Sequence, residues 1–297
     1  MTRGAEYRNR LIITADDFGA AEEINEAVEA AHRFGVLSSA SLMVNGRAAQ
    51  DAIGRARAWP DLHVGLHLVL TEARPILPPE CVPDLVDRRG WLRRDLARLG
   101  AEIACRPKLR RQLRAEIEAQ FEAYAQTGLA LDHVDAHQHF HLHPIVAREI
   151  ISIGCRFGMR ALRVPAEPAR LLFRLEPRLG AAALLRPLTA ALRGRVRRAG
   201  LASADAVFGL RWSGAFTPQR MALLLANLPP GAIEIYTHPA IGDRFPGAAP
   251  GYRYREEFEA LRAPAVISAL RRSGFPLGGY AELLAVREQG RKLTAAL

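Results

Sequence analysis

Lysine is nearly absent from this 297-residue chain: of 41 basic side chains, only Lys108 and Lys292 are not arginine. Codon composition can account for the choice of arginine over lysine, but not for where the arginines cluster. Cysteine is scarce as well. Cys81, Cys105 and Cys155 are an odd number at spacings that suit neither a zinc knuckle nor a disulfide framework, so a reducing compartment and three buried thiols are expected. The opening residues, MTRGAEYRNRLIITADDFG, hold no apolar signal core and no small-residue cleavage site, and the expected location is cytoplasmic. No glycine-rich phosphate fingerprint follows the first apolar run, where ADDFGAAEE stands instead, which disfavours a nucleotide-binding open sheet. There is no internal repeat of fixed period and no dividing linker, so residues 1–297 read as a single domain.

What is present is the composition of a folded chain. At 49% hydrophobic and 24% charged residues it is too apolar for disorder, and it is long enough to bury a sizeable core. Short apolar runs read as strands at 11–17, 39–45, 63–70, 131–139, 161–165, 233–239 and 275–280. Between them, AAEEINEAVEAAHRFG sets Ile24, Ala27, Val28 and Ala31 on one helical face, with acids at its start and Gly35 at its end. KLRRQLRAEIEAQFEAYAQTG repeats the pattern with Leu113, Ile117, Phe121 and Tyr124, and a last pair of helices is expected to begin near Glu256 and Ala281. About seven parallel strands alternating with helices predict an α/β fold: a single distorted (β/α) barrel with an arginine-rich helical insert at about residues 168–212. A doubly wound open sheet is the competing arrangement. The proline-rich EARPILPPECVPDL is expected to loop over the barrel mouth.

Polar residues recur at the carboxyl ends of these strands: Asp16 and Asp17, His67, His137, Arg163 and His238. In a barrel those ends converge on one mouth, where active sites are built. An adjacent acid pair at a strand end sends its side chains in different directions, so one carboxylate can hold a cation while the other faces a reacting water. The same pair could instead cap the next helix. In DHVDAHQHFHLHP, residues 132–144, His133, Asp135, His137, His139, His141 and His143 alternate and would share one face of an extended strand, though one mononuclear ion cannot use them all. Imidazole and carboxylate donors together suit a divalent ion, zinc favoured by two imidazoles and magnesium by carboxylates and water. Such an ion acidifies its water, to a pKa of roughly 7 in zinc sites, and polarises a carbonyl, so amide or ester hydrolysis is the expected chemistry.

Taken in order, LIITADDFG, SLMVNG, VGLHLVLTE, LDHVDAHQHFHLHP, ALRVP and EIYTHPA resemble the YdjC-like carbohydrate deacetylases, which include the chitooligosaccharide deacetylases, from about residue 10 to about residue 285. LVLTEARPILPP, VFGLRWSGAFT and the arginine-rich insert most resemble the hopanoid-biosynthesis-associated branch. The resemblance implies a distorted β/α barrel that removes N-acetyl groups from amino sugars with one divalent metal ion, Mg2+ or Zn2+. It implies Asp17, His67 and His137 as metal ligands, Asp16 as general base, His238 as the acid that protonates the leaving amine, and Arg163 as the group orienting or tuning Asp16. His139 and His141 are then expected behind the ligands or facing substrate, and His133 and Asp135 to support the strand end. His143 starts the next helix, and His32 and His63 are structural. A base and an acid of opposite required charge predict a bell-shaped pH profile. The branch implies an N-acetylglucosaminyl hopanoid glycolipid as substrate; the alternative is a soluble chitooligosaccharide or another N-acetyl sugar conjugate.

The net charge of +10 is concentrated. Between Ala169 and Gly200 stand Arg170, Arg174, Arg178, Arg186, Arg193, Arg195, Arg197 and Arg198 against one acid, Glu176, a local +7 (eight minus one). Leucines 171, 172, 175, 179, 184, 185, 188 and 192 mix with them as in a basic amphipathic segment, broken by Pro177 and Pro187. Charges interrupt every apolar stretch there well short of the roughly 20 residues a bilayer span needs. Two expectations follow: a solvated basic lid packed on the barrel, or peripheral contact of residues 169–200 with an anionic membrane at its inner face. Phe173 is the only aromatic residue between 160 and 200, too few for stacking on single strands, and no nucleic-acid partner is expected. The sequence is compatible with a homodimer.

Overall fold

An unbroken apolar run is the mark of a strand covered on both faces, and LIITA at the start of the chain becomes the centre of the sheet. In the computed structural model, which describes residues 9–177 and 182–285, β1 (Arg10–Phe18) is flanked by β6 (Ala232–Thr237) and β2 (Ser39–Leu42). The full order is β4 (Val134–Ala136), β3 (His63–Leu68), β2, β1, β6, β5 (Ala206–Phe208), with every pairing parallel. Leu11, Ile13, Ala15 and Phe18 are fully buried, as are Leu66 and Leu68. Each large apolar side chain so buried stabilises by roughly 1.5–3 kcal/mol.

Parallel neighbours need helical crossovers. After β1 comes α1 (Glu22–Phe34), whose Ile24, Ala27, Val28 and Ala31 face inward, with Glu22 and Glu23 in its first turn. After β2 comes α2 (Ala49–Ala58). After β3 the chain makes a long irregular loop, then α3 (Leu96–Cys105) and α4 (Pro107–Gln126), which buries Leu113, Ile117, Phe121 and Tyr124. The rest of the helical shell is α5 (Pro144–Arg156), α6 (Ala169–Leu175), α7 (Ala182–Arg198), α8 (Pro218–Leu225), α9 (Tyr254–Arg262) and α10 (Pro264–Ser273). A further helix starts at Tyr280, so the expected last pair is three helices, with α10 between.

Among the described residues six strands, not about seven, form the sheet, which curls into an open, barrel-like arc. The runs at 161–165 and 275–280 supply single bridges instead: Leu162 to Val134, Ala161 to Ala202, and Leu277 to Leu11. Pro165 and Pro276 bring no N–H to a ladder and cut both short. Backbone bonds from Arg163 N to Val134 O (2.9 Å) and Val207 N to Ala166 O (3.3 Å) carry the curl from β4 towards β5. β5 itself lies inside the stretch read as insert, because three residues are too few to show a strand period. The insert proper is α6 and α7; Arg178 and Leu179 lie outside the described residues. The three thiols are exposed, not buried. Cys81 is in the irregular loop, and Cys105 and Cys155 are in the last turns of α3 and α5, where the helix faces turn outward. Among the described residues no helix is long and apolar enough to cross a membrane.

Gly65 of β3 lies against the His133 ring: a Cβ there would sit 2.5 Å from its Cε1 and Nδ1. The ring cannot easily yield, since Nδ1 is 3.0 Å from Asp132 Oδ2 and Nε2 is 2.9 Å from Ser41 Oγ. Gly65→Ala is therefore expected to destabilise by about 1–3 kcal/mol, read as a fall in Tm of several degrees in thermal unfolding; an unchanged Tm would contradict this packing.

Candidate active site

Two backbone irregularities decide where the polar side chains go. The register of β1 against β2 shifts between Ala15 and Phe18, and Asp17 adopts φ 63°, a left-handed conformation rare for a non-glycine residue. That twist separates the neighbouring acids: Asp16 turns to the interior and Asp17 to the mouth. The second irregularity follows β4. The chain does not stay extended through DAHQHFH but tightens into a 3-10 turn, His137–Leu142, in which Gln138 (φ 51°) and His139 (φ 53°) are left-handed. The six alternating side chains therefore do not share one face, a correction that follows from those two dihedrals. Glu72, at φ 64°, completes a set of four non-glycine residues with positive φ among the described residues. Each such residue costs on the order of 1 kcal/mol or more.

Asp17, His67 and His137 meet. Asp17 Oδ1 is 3.0 Å from His137 Nδ1 and 3.3 Å from His67 Nε2, and the three ligand atoms all lie within 4.8 Å of one another. His67 Nε2 is buried yet makes no hydrogen bond: its contact with Asp17 has an ion pair's distance without a hydrogen bond's angle. Donors about 2 Å from a tetrahedral zinc ion lie about 3.3 Å apart, so the buried unpartnered nitrogen and the O/N/N donor set fit a divalent cation. Behind it, His67 Nδ1 donates to Asp135 Oδ1 (2.8 Å), which fixes the ring with Nε2 aimed at Asp17. Asp16, His67 and Asp135 form a second close group, whose two carboxylates are both paired with Arg163.

The protonation pattern reflects an excess of buried carboxylates. Burial alone would lower His67, but the charge and hydrogen bond of Asp135, then Asp17, raise it to about 10. His137 is likewise raised to about 9 against burial, chiefly by Asp17. Burial pushes Asp17 up, but His137 first and His67 next hold it well below the usual carboxylate range.

Arg163 is fully buried and grips Asp16 with two parallel bonds, Nη1 to Oδ2 (2.7 Å) and Nη2 to Oδ1 (2.8 Å). Its Nε and Nη2 also donate to Glu234 Oε1 (3.0 and 2.8 Å), Nη1 pairs with Asp135, and the guanidinium lies over the Tyr236 ring. Burial would lower Arg163; Asp135, Asp16 and Glu234 raise it well above its ordinary value. Glu234 accepts further bonds from Thr14 (2.9 Å) and Tyr280 (2.6 Å). Sequence reasoning missed Glu234 altogether; a lone acid inside the apolar IEIYT was its signal. Asp135 was expected only to support a strand end, whereas it joins His67 to Arg163.

The remaining histidines separate by environment. His133, beneath the sheet, is raised by Asp132 against burial, and its two nitrogens face Asp132 and Ser41. His139 Nε2 is 2.8 Å from the Tyr236 hydroxyl, and His141 Nε2 donates to the Arg163 carbonyl (3.1 Å). Burial, then His141 and Arg163, keeps His139 well below its ordinary pKa, and burial foremost lowers His141 to about 4, so both are neutral. His238 stands beside Tyr252 and Tyr236, ring centroids 5.3 and 5.9 Å away, and its backbone N–H donates to Glu257. It makes no hydrogen bond to the five other candidates among the described residues, although its charge acts on Asp17. A cleft of about 630 Å³ opens at Asp17 and His137, walled by Glu72, Trp91, Phe245 and Tyr254. Glu72, Ala73 and Arg74 open the proline-rich stretch and Trp91 follows it in the same irregular loop after β3, so the start of that stretch stands at the mouth; neither Glu72 nor Trp91 was singled out from sequence.

The sequence profile of YdjC-like protein matches residues 10–272. The carbohydrate deacetylase of Geobacillus stearothermophilus is 30% identical over 275 residues, 91% of this chain and 96% of that one. The chitooligosaccharide deacetylase of Proteus mirabilis (strain HI4320) is 29% identical over 283 residues, 92% and 98% of the two chains. The carbohydrate deacetylase of Brevibacillus brevis is 38% identical over 145 residues, 49% of this chain and 55% of that one, so this match spans about half of the relative's length. Among solved structures, an Enterococcus faecalis V583 protein named for cellobiose-phosphate cleavage has a TM-score of 0.72 at 24% identity, covering 93% of this chain and 99% of that one. At that identity the likeness speaks to the fold alone. A profile matched over most of the sequence, with a relative 30% identical along nearly its whole length, makes this chain a member of the YdjC-like protein family.

Proposed function

We propose that this chain is a metal-dependent carbohydrate deacetylase that removes the N-acetyl group from an amino sugar of the chitooligosaccharide kind. The observation that carries the reading is the meeting of Asp17, His67 and His137 beside the Asp16–Arg163 pair, in a chain aligned along its length with carbohydrate deacetylases.

A divalent cation held by Asp17, His67 and His137 would supply Lewis acidity towards the acetyl carbonyl and towards a nearby water. Its identity, Zn2+ or Mg2+, is left open by a donor set of two imidazoles and one carboxylate. Asp16 takes the proton of the attacking water. Arg163 holds that carboxylate by both oxygens, so its direction is set before substrate arrives. The water oxygen bonds to the acetyl carbon and the carbon–nitrogen bond breaks. His238, in protonated form, gives its proton to the departing amine, and the products are acetate and a free amino sugar. Trp91, Phe245 and Tyr254 supply apolar faces on which a sugar ring can rest.

A second reading, favoured by one observation, makes the sugar lipid-linked, as in an N-acetylglucosaminyl hopanoid. Glu176, the one acid between Ala169 and Gly200, turns towards Arg220 (3.1 Å) and the Trp212 indole, while Phe173, Leu184 and Leu188 are exposed (52%, 82% and 38%) on the two arginine-rich helices. Exposed apolar side chains among arginines suit the surface of an anionic bilayer. The partner would be phosphatidylglycerol-type lipid, reached peripherally.

Three outcomes are expected. Acetate release from N,N'-diacetylchitobiose should stop with chelator and return with added Zn2+ or Mg2+, and Asp16→Asn should lower kcat by about a hundred- to ten-thousand-fold with its fold kept; no release with any divalent ion would overturn the reading. Because His67 and His137 are raised to about 10 and about 9, both hold protons at pH 7 and must lose them to ligate. Calorimetry in buffers of different ionisation enthalpy should thus record about two protons released per ion at pH 7, with metal affinity falling as pH drops below about 10 and more steeply below about 9. For the second reading, co-sedimentation with vesicles should require phosphatidylglycerol and weaken when Phe173, Leu184 and Leu188 are changed to serine; equal binding to phosphatidylcholine vesicles, or none, removes it.

A further inference from the structure

The two histidines of the metal set present opposite nitrogens to it. His67 aims Nε2 inward and gives Nδ1 to Asp135; His137 aims Nδ1 inward and leaves Nε2 pointing away. An imidazole that ligates through one nitrogen must carry its proton on the other, and that proton needs an acceptor if the ring is to hold still. For His137 the group in that direction is Glu72, whose Oε2 is 3.6 Å from Nε2. This distance is an ion contact rather than a hydrogen bond.

Glu72 is held for that task from several sides. Its backbone is left-handed and its N–H donates to Leu92 O (3.2 Å), on the far arm of the irregular loop after β3. Gln138, itself left-handed and next in sequence to His137, donates from Nε2 to the same Oε2 (2.6 Å), and Arg94 Nε is 3.8 Å from Oε1. One carboxylate thus ties the loop after β3 to the turn after β4 at the position where that turn departs from extended structure. A carboxylate placed only for solubility would need neither a strained backbone nor a glutamine bonded to it.

We propose that Glu72 is a positioning residue for the reaction: it accepts the Nε2 proton of His137, fixes the tautomer with Nδ1 free to ligate, and so does for His137 what Asp135 does for His67. This rests on the reading of Asp17, His67 and His137 as the metal set. Nothing in it requires Glu72 to touch the substrate.

The experiment is Co2+ binding to the full-length protein, followed by visible absorption, with Zn2+ affinity from competition against a chromophoric chelator. Glu72→Ala should weaken the ion by about tenfold or more and alter the cobalt spectrum, and Glu72→Gln, which keeps an acceptor oxygen, should lose less. In turnover both variants should lower kcat with little change in KM. His67→Ala is the control for the site: if it binds Co2+ as the parent does, the metal set itself is wrong. If His67→Ala loses the ion while Glu72→Ala keeps parental affinity and spectrum, the site stands and the role of Glu72 is overturned. A Glu72→Ala effect confined to KM would also overturn it, assigning the carboxylate to substrate instead. Thermal unfolding of the metal-free variants identifies any loss that is only misfolding, and Arg94→Ala, which leaves the carboxylate in place, should keep metal affinity within about twofold of the parent; a tenfold loss there would move the role from the carboxylate to the loop.

Discussion

One buried guanidinium organises the centre of this protein. Arg163 faces three carboxylates, Asp16 from β1, Asp135 from β4 and Glu234 from β6, all of them buried. A charge taken out of water is costly unless paired, and removing one partner of such a group is worse than never having buried it. The cluster therefore ties β4 to the adjacent pair β1 and β6, from which the sheet order separates it by β2 and β3. It also leaves a negative surplus. Three carboxylates face one arginine and Asp17 adds a fourth buried carboxylate against His137 and His67, so the site favours added positive charge, either as protons on those two histidines or as a divalent ion that the three side chains would hold.

Strain and chemistry coincide at the mouth. Asp17, Glu72, Gln138 and His139 are left-handed: Asp17 meets His137, Glu72 lies against His137 and accepts from Gln138, and His139 meets the Tyr236 hydroxyl. Such conformations persist only where surrounding structure over-determines them. Here the sheet holds Asp17, and bonds across the two loops hold the others. The neutral pair His139 and His141 lies behind, kept uncharged by burial and by Arg163, so the positive charge available to the site is concentrated on His67, His137 and Arg163.

The insert divides by depth. Leu171, Leu172, Leu192 and Val196 pack into the core, which is the lid arrangement, while Phe173, Leu184 and Leu188 on the same two helices face solvent. The two expectations for this segment are thus not exclusive: an amphipathic segment can be packed on one side and open on the other. The alternation of leucine with arginine could not say which leucines would do which, because Pro177 and Pro187 interrupt the helical phase that such an argument needs.

How much could be read beforehand differs from residue to residue. Strand cores such as LIITA and HVGLHL, and amphipathic helices such as the one carrying Leu113, Ile117 and Phe121, were legible because their periods express local backbone geometry. The positions of Asp17, His67 and His137 at strand ends were legible for the same reason, and the fold brings them within one ion's reach. β5 and the bridging runs were not, being too short or too rich in proline to show a period. The partners of Glu72, Asp135 and Glu234 could not be read, even though Asp135 was placed at the strand end and Glu234 stands alone in an apolar run, since a carboxylate's partner is set by which distant strand or loop faces it. By itself the sequence determined the parallel α/β architecture and the chemical types available at its mouth. Only the tertiary structure decided which histidine turns inward, which nitrogen it offers and which acid stands behind it, because two left-handed turns and one buried arginine set those directions, and neither leaves a periodic trace in the chain.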